Sequence, residues 1–226
     1  MKQLPLPISW AFSKSTDDFV VSDCNRYAFE WLEKWPLKIQ TNFVCLVGES
    51  GSGKTHLAHI WSDRLGAEFL KPSNAFNKWY EISSESSEQQ YYVFDDADEL
   101  DEDILLFYIY NTIKEKNAYL LLTAKNYPNK WNLKFEDIKS RLATVDIIRI
   151  QRPNESAINS IIEKMLLQRG IKSTHEVVEY ISNRIERSYE SIRYWINKID
   201  SQLMDKKGKL SLQKLRTILE NQPGRE

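Results

Sequence analysis

The chain has 226 residues, enough for one medium α/β domain and a small appendage. With 42% hydrophobic residues, 28% charged residues and only 7 glycines and 7 prolines, its composition excludes a disordered or fibrous protein. The formal net charge of −1 excludes the strongly basic balance of a typical nucleic-acid binder. From Gln151 onward 14 basic residues face 10 acidic ones, an excess that a solvated helix surface explains equally well.

The first ten residues, with Leu4, Pro5, Leu6 and Pro7, read as an extended tail open to a partner, because proline denies them a helix. They lack the apolar core and cleavage site of a signal peptide, and no apolar run approaches the roughly 20 residues that cross a bilayer. The expectation is therefore a cytoplasmic protein without membrane contact, in which Cys24 and Cys45 are free thiols. Tyr27, Trp31 and Trp35 recur every four residues, predicting a helix over 23–35 that Pro36 stops.

An alternation of strands and helices follows. Phe43, Val44, Cys45, Leu46 and Val47 form a continuous apolar run, as in a strand buried on both faces. Further strands are expected at 68–70, 91–94, 118–123 and 145–150. Helices fit at 54–65, 101–116 and 136–142, and the polar stretch 83–90 reads as a surface loop. This pattern implies a parallel sheet with right-handed crossovers.

After Arg152 and Pro153 the signal becomes purely helical. Ile158, Ile161, Ile162, Met165 and Leu166 keep the spacing of an amphipathic helix, as do Val177, Val178, Ile181 and Ile185. Ile192, Trp195, Ile196, Ile199 and Leu203, then Leu212, Leu215, Ile218 and Leu219, complete four helices, with Gly170 and Gly208 near helix ends. The expected organisation is a tail (1–10), a nucleotide-binding α/β domain (11–152) and an all-α lid bundle (153–226).

Four motifs carry the chemistry. Gly48, Glu49, Ser50, Gly51, Ser52, Gly53, Lys54 and Thr55 match the complete P-loop pattern between a strand and a helix. Its backbone N–H groups and helix N-terminus suit phosphate, Lys54 the β and γ phosphates, and Thr55 a magnesium ion. The apolar strand ending in Asp95 and Asp96 supplies a carboxylate for Mg²⁺ at Asp95 and a group to polarise attacking water at Asp96. Beyond the strand at 118–123 stand Thr123, Lys125 and Asn126, among which the sequence does not choose a sensor. Arg141 lies just before the last strand; on sequence alone a solvated surface arginine is the better reading. His56, His59 and His175 lack metal-ligand spacing, while Trp10 and Trp131 lie in irregular segments and are candidates for partner contacts.

The order of these motifs, closed by a helical bundle, resembles the AAA+ ATPases, and within them the replication initiator DnaA and its shorter relatives of the Hda/HdaA family. The resemblance rests on Asp18, Phe19, Val20 and Val21 with Asn25, on Gly53, Lys54, Thr55, His56 and Leu57, and on Asp95 and Asp96. It continues through Leu121, Leu122 and Thr123 with Tyr127 and Pro128, Ser140, Arg141 and Leu142, and Glu186, Arg187 and Ser188. It implies a P-loop AAA+ sheet core with an α-helical lid, binding ADP or ATP with Mg²⁺, and it adds Val20, Val21 and His56 to the nucleotide contacts. It makes Arg141 an arginine finger acting in trans on ATP held by DnaA. Gln3, Leu4 and Leu6 resemble the short motif that docks such regulators on the replication sliding clamp. The implied function is clamp-dependent inactivation of DnaA in replication initiation, through stimulated hydrolysis of its ATP, with weak or no direct DNA contact. A homo-oligomer stays open.

The chain also departs from the DnaA pattern. Glu190 stands where the lid helix of DnaA carries a sensing arginine, leaving Arg187 and Arg193 as nearby substitutes, and Lys125 replaces a carboxylate. These changes point to a nucleotide held rather than turned over. Two other readings stay open: a free-standing ATPase such as a helicase loader, and a DNA-binding adaptor using the mildly basic bundle.

Overall fold

Five short apolar strands, β1 (Phe43–Val47), β2 (Glu68–Leu70), β3 (Tyr91–Phe94), β4 (Tyr119–Ala124) and β5 (Asp146–Arg149), form one parallel sheet in the order β2-β3-β4-β1-β5. The computed structural model describes residues 19–84, 90–100, 102–203 and 210–220. Gln3, Leu4, Leu6, Trp10, Asp18, Asp101 and Gly208 lie outside the described residues.

The continuous apolar runs follow from burial on both faces, because side chains alternate along a strand. Phe43, Cys45, Val47, Tyr92, Phe94, Leu120 and Leu122 point to one face, where α4 (Asp103–Glu115) and α5 (Glu136–Leu142) contribute Leu106, Ile109, Ile113 and Ile138. Val44, Leu46, Val93, Leu121 and Ile148 point to the other, where α2 (Lys54–Leu65) and α1 (Arg26–Lys34) bring Leu57, Trp61 and Leu32. Trp35 stacks on Trp61 at 4.6 Å between ring centroids in this second layer.

α1 is shorter than the sequence pattern predicts and presents a different face. Ala28, Leu32 and Trp35 are buried, Trp31 is partly buried and Tyr27 is exposed. The aromatic repeat therefore straddles the edge of the buried stripe. An unforeseen helix, α3 (Ala75–Ser84), connects β2 to β3 and takes up the start of the stretch read as a loop. Trp131 is buried and donates its indole N–H to the Asn126 carbonyl at 2.8 Å. This corrects its reading as a partner-contact residue: the short helical turn Pro128–Lys130 folds it inward.

The helical tail gives α6 (Glu155–Gln168), α7 (His175–Ser182), α8 (Tyr189–Leu203) and α9 (Leu212–Glu220). Their apolar stripes close a separate cluster around Ile161, Leu166, Ile181, Ile192, Ile196 and Leu215. Asn154 caps α6 by accepting the Ala157 N–H at 2.8 Å, which satisfies one of the orphan donors of the first turn. Gly170, at φ +70°, ends that helix region in the left-handed conformation glycine favours. No described helix is long and apolar enough to cross a membrane.

Candidate functional site

The carboxyl ends of β1, β3 and β4 meet where the strand order places β4 between the other two. Each end delivers one part of the site. β1 runs into the P-loop, β3 into Asp95 and Asp96, and β4 ends at Thr123 and Ala124. Ligands of open parallel sheets bind at this edge.

The P-loop is fixed by its glycines. A Cβ on Gly48 would stand 2.7 Å from Ser52 Oγ and 3.1 Å from the Ile150 carbonyl, so no side chain fits there. Gly53 begins α2 with φ +97°, and no side chain caps that helix. The first turn of α2 thus keeps its N–H groups and positive dipole end for an anion. Gly48→Ala is expected to destabilise the fold by about 1–3 kcal/mol through overpacking. Thermal unfolding checks this as a drop of roughly 2–4 °C per kcal/mol; an unchanged midpoint would contradict it.

Lys54 is 7% exposed, and its Nζ donates to the Glu49 carbonyl at 3.1 Å. Burial lowers its pKa, with Asp96, Asp98 and Asp95 opposing that effect. The ammonium is thus held within the loop, beside a cluster of carboxylates. Glu49 forms an ion pair with Arg152 across the loop's outer side.

Asp95 is fully buried. Its Oδ1 accepts from Thr55 Oγ1 at 3.0 Å and from Thr123 Oγ1 at 2.7 Å, while its Oδ2 accepts no hydrogen bond. A buried carboxylate oxygen without a donor is costly unless a cation faces it. Lys71 Nζ lies 3.5 Å from that oxygen. The hydroxyl of Thr55 beside this carboxylate is the hard-oxygen set that suits Mg²⁺ completed by phosphate and water, so the residues present fit the ion. Among the described residues no group of three His, Cys, Asp or Glu side chains could hold a metal by itself.

Asp96 adopts a left-handed conformation at φ 54°, sparsely populated outside glycine, and its N–H donates to Thr123 Oγ1 at 2.9 Å. Burial raises its pKa, reinforced by Asp95 and Glu99. Thr123 therefore bridges both acidic residues. Of the three polar candidates beyond β4, it alone sends its side chain to Asp95. Lys125 and Asn126 are exposed and donate their backbone N–H groups to the Asp98 carboxylate at 3.0 Å.

A strap before α1 borders the loop. Phe19 meets His56 edge-on at 5.3 Å and its carbonyl accepts from Lys164 Nζ at 2.9 Å. Asn25, buried, donates to the Val20 carbonyl at 2.9 Å and accepts from the Ser22 N–H at 2.8 Å. Val20 is buried among bundle residues, whereas Val21 is exposed. Sequence reasoning did not find Tyr189. Its N–H donates to the Gly51 carbonyl at 2.8 Å and its hydroxyl accepts from the Val20 N–H at 3.3 Å, so α8 touches both loop and strap. A tyrosine on an apolar helix stripe gave no signal of this.

Arg187 pairs with Glu155 at 3.8 Å, and Glu190 and Arg193 follow in the first turns of α8. Arg141 is not among the loop residues. It lies on α5, with its guanidinium bonded to Asp137 at 3.0 Å and to Asn111 Oδ1 at 2.7 Å, and lies over the rings of Phe107 and Tyr110 at 5.2 and 5.6 Å.

The parallel five-stranded sheet, the P-loop and the flanking helices define the fold of an AAA+ P-loop domain. No family model matches the chain. It is 25% identical over 228 residues to an uncharacterized protein of Haemophilus influenzae, covering 96% of this chain and 98% of that one. It is 24% identical to the chromosomal replication initiator protein DnaA of Wolinella succinogenes, over 91% of this chain and 52% of that protein. The chain therefore spans about half the length of this DnaA relative. In fold it matches domain III of Thermotoga maritima DnaA with a TM-score of 0.77 at 17% identity, covering 92% of this chain and 96% of that one. It matches AMPPCP-bound DnaA from Aquifex aeolicus with a TM-score of 0.69 at 20% identity, covering 88% and 67%. The chain is thus similar to DnaA in sequence and carries the fold of its AAA+ domain.

Proposed function

We propose that this chain is an AAA+ regulator of replication initiation that binds ADP or ATP with Mg²⁺, docks on the sliding clamp and promotes hydrolysis of ATP bound to DnaA. The observation that supports it most is the joining of a complete phosphate loop with the Thr55–Asp95–Thr123 cluster in a DnaA-type fold. In this reading the α2 N-terminus and Lys54 would hold the phosphates, and Thr55 and Asp95 would hold the ion, which would supply positive charge to screen the phosphates. Asp96 would orient water in this reading, and Thr123 links its backbone N–H to the Asp95 carboxylate. Val20, Val21 and His56 border the nucleotide, and the α6–α9 bundle serves as the lid.

The nucleotide is a structural element of the regulator, and the chemistry occurs on the partner, with Arg141 as this chain's contribution. An arginine in a self-association of AAA+ modules would act the same way, but the resemblance to shorter DnaA relatives favours DnaA as recipient. Gln3, Leu4 and Leu6 supply the clamp contact, with the leucines entering an apolar pocket of the clamp. Combining Leu4→Ala with Leu6→Ala is expected to lower affinity for immobilised clamp by at least about tenfold, since two buried leucines are worth roughly 1.5–3 kcal/mol each. Unchanged clamp binding would refute the docking role.

A further inference from the structure

A second lysine enters the phosphate site from an element outside the P-loop. Lys71 follows β2, and its N–H donates to Asn74 Oδ1 at 2.9 Å while its carbonyl accepts the Asn74 N–H at 3.0 Å. The preceding Leu70 carbonyl accepts the Asp95 N–H at 2.9 Å. The base of the Lys71 side chain is therefore fixed directly beside the end of β3. From there Nζ faces Asp95 Oδ2 at 3.5 Å, the one oxygen of that buried carboxylate that accepts no hydrogen bond.

The two lysines divide the site. Lys54 is turned toward the loop carbonyl of Glu49, and the nucleotide-binding reading assigns its charge to the phosphates. Lys71 is turned toward the carboxylate, through the oxygen a divalent cation would also need. An ion placed on that buried oxygen meets the like charge of the half-exposed Lys71, which weakens its hold, while the ammonium already supplies a positive charge beside the carboxylate. Lys71 is also one of the charges that counter the raised pKa of Asp96, so its field reaches both acids.

We propose that Lys71 is a resident counter-ion of Asp95 that stands in for a divalent cation, so that this chain holds nucleoside diphosphate with little dependence on magnesium. The inference rests on the nucleotide-binding reading of the loop and, for the diphosphate alone, puts Lys71 in place of the Mg²⁺ of that reading. Its test is ADP binding to the full chain by calorimetry, with excess MgCl₂ and with EDTA. The wild-type dissociation constant should change by less than about threefold between the two conditions. Lys71→Met should make it depend on magnesium by about tenfold or more, about 1.4 kcal/mol, and Lys71→Arg should restore the wild-type behaviour. MgCl₂ alone should raise the unfolding temperature of Lys71→Met and leave that of the wild type unchanged.

A wild-type affinity that falls tenfold in EDTA overturns the proposal while leaving nucleotide binding intact. Equal magnesium dependence in wild type and Lys71→Met does the same. Absence of ADP binding to wild type in both conditions overturns the proposal together with the reading beneath it. If Lys71→Met does not fold, the wild-type comparison decides the case.

Discussion

Arg141→Ala is expected to reduce clamp-dependent stimulation of DnaA ATP hydrolysis by about 10³-fold or more, the lower end of what an arginine finger contributes. The loss should come without loss of clamp binding, because the residues proposed to dock on the clamp, Gln3, Leu4 and Leu6, lie far from Arg141 in the sequence. It should also come with little loss of stability. Arg141 is 29% exposed and its partner Asp137 is 54% exposed, so their ion pair is a surface pair, worth at most about 1 kcal/mol. The same weakness would free Arg141 for the proposed role. Giving up Asp137 costs little compared with bonding a phosphate in an interface that excludes water. Phe107 and Tyr110 hold the guanidinium plane meanwhile, so the group is pre-positioned rather than free. Arg141→Lys should not rescue, because an ammonium lacks the planar fork that spans two phosphate oxygens. Full stimulation by Arg141→Ala, measured with radiolabelled ATP on DnaA, would remove Arg141 from the mechanism.

Lys54→Ala should weaken ADP and ATP binding by about 10–100-fold, as expected for one charge-assisted hydrogen bond of roughly 1.5–3 kcal/mol. Stability should hold or rise. The ammonium is buried and its pKa lowered by desolvation, so the folded chain carries a cost for keeping it charged. Its removal frees the Glu49 carbonyl, which lies in a loop that water can reach once the side chain is gone. Calorimetric titration with ADP beside a thermal melt separates the two effects. Unchanged affinity would contradict the role of the loop as a phosphate cradle.

Much of the fold was legible because both-face burial writes a simple pattern. Phe43–Val47 could only be a central strand, and the isoleucine stripes of the last four helices could only close on one another. α3 was missed because, among its described side chains, Phe76 and Tyr80 point outward beside the buried Ala75 and Trp79 and blur the period. Trp131 was misjudged for a related reason: a tryptophan in an irregular segment looks exposed until the turn that buries it is seen.

The site divides in the same way. The P-loop is contiguous in sequence, and an acidic residue closing an apolar strand is a recognisable sign, so Asp95 could be read directly. Thr123 could be narrowed only to one of three, since the choice depends on which side chain faces β3 across the sheet. Lys71 and Tyr189 had no signal. Each reaches the site through tertiary contact, Lys71 through the β2–β3 pairing and Tyr189 through the packing of α8 on the loop. Arg141 lies between these cases: its position came from the resemblance, whereas its partner Asn111, thirty residues away, is visible only in three dimensions.

In the proposed function this chain acts on nucleotide held by another protein. The most direct measurement is the ratio of ADP to ATP on DnaA after incubation with the wild-type chain, ADP and sliding clamp loaded on DNA. DnaA should convert to its ADP form many times faster than with clamp and DNA alone, and the conversion should need all three added components. Conversion at the same rate with and without this chain would contradict the account.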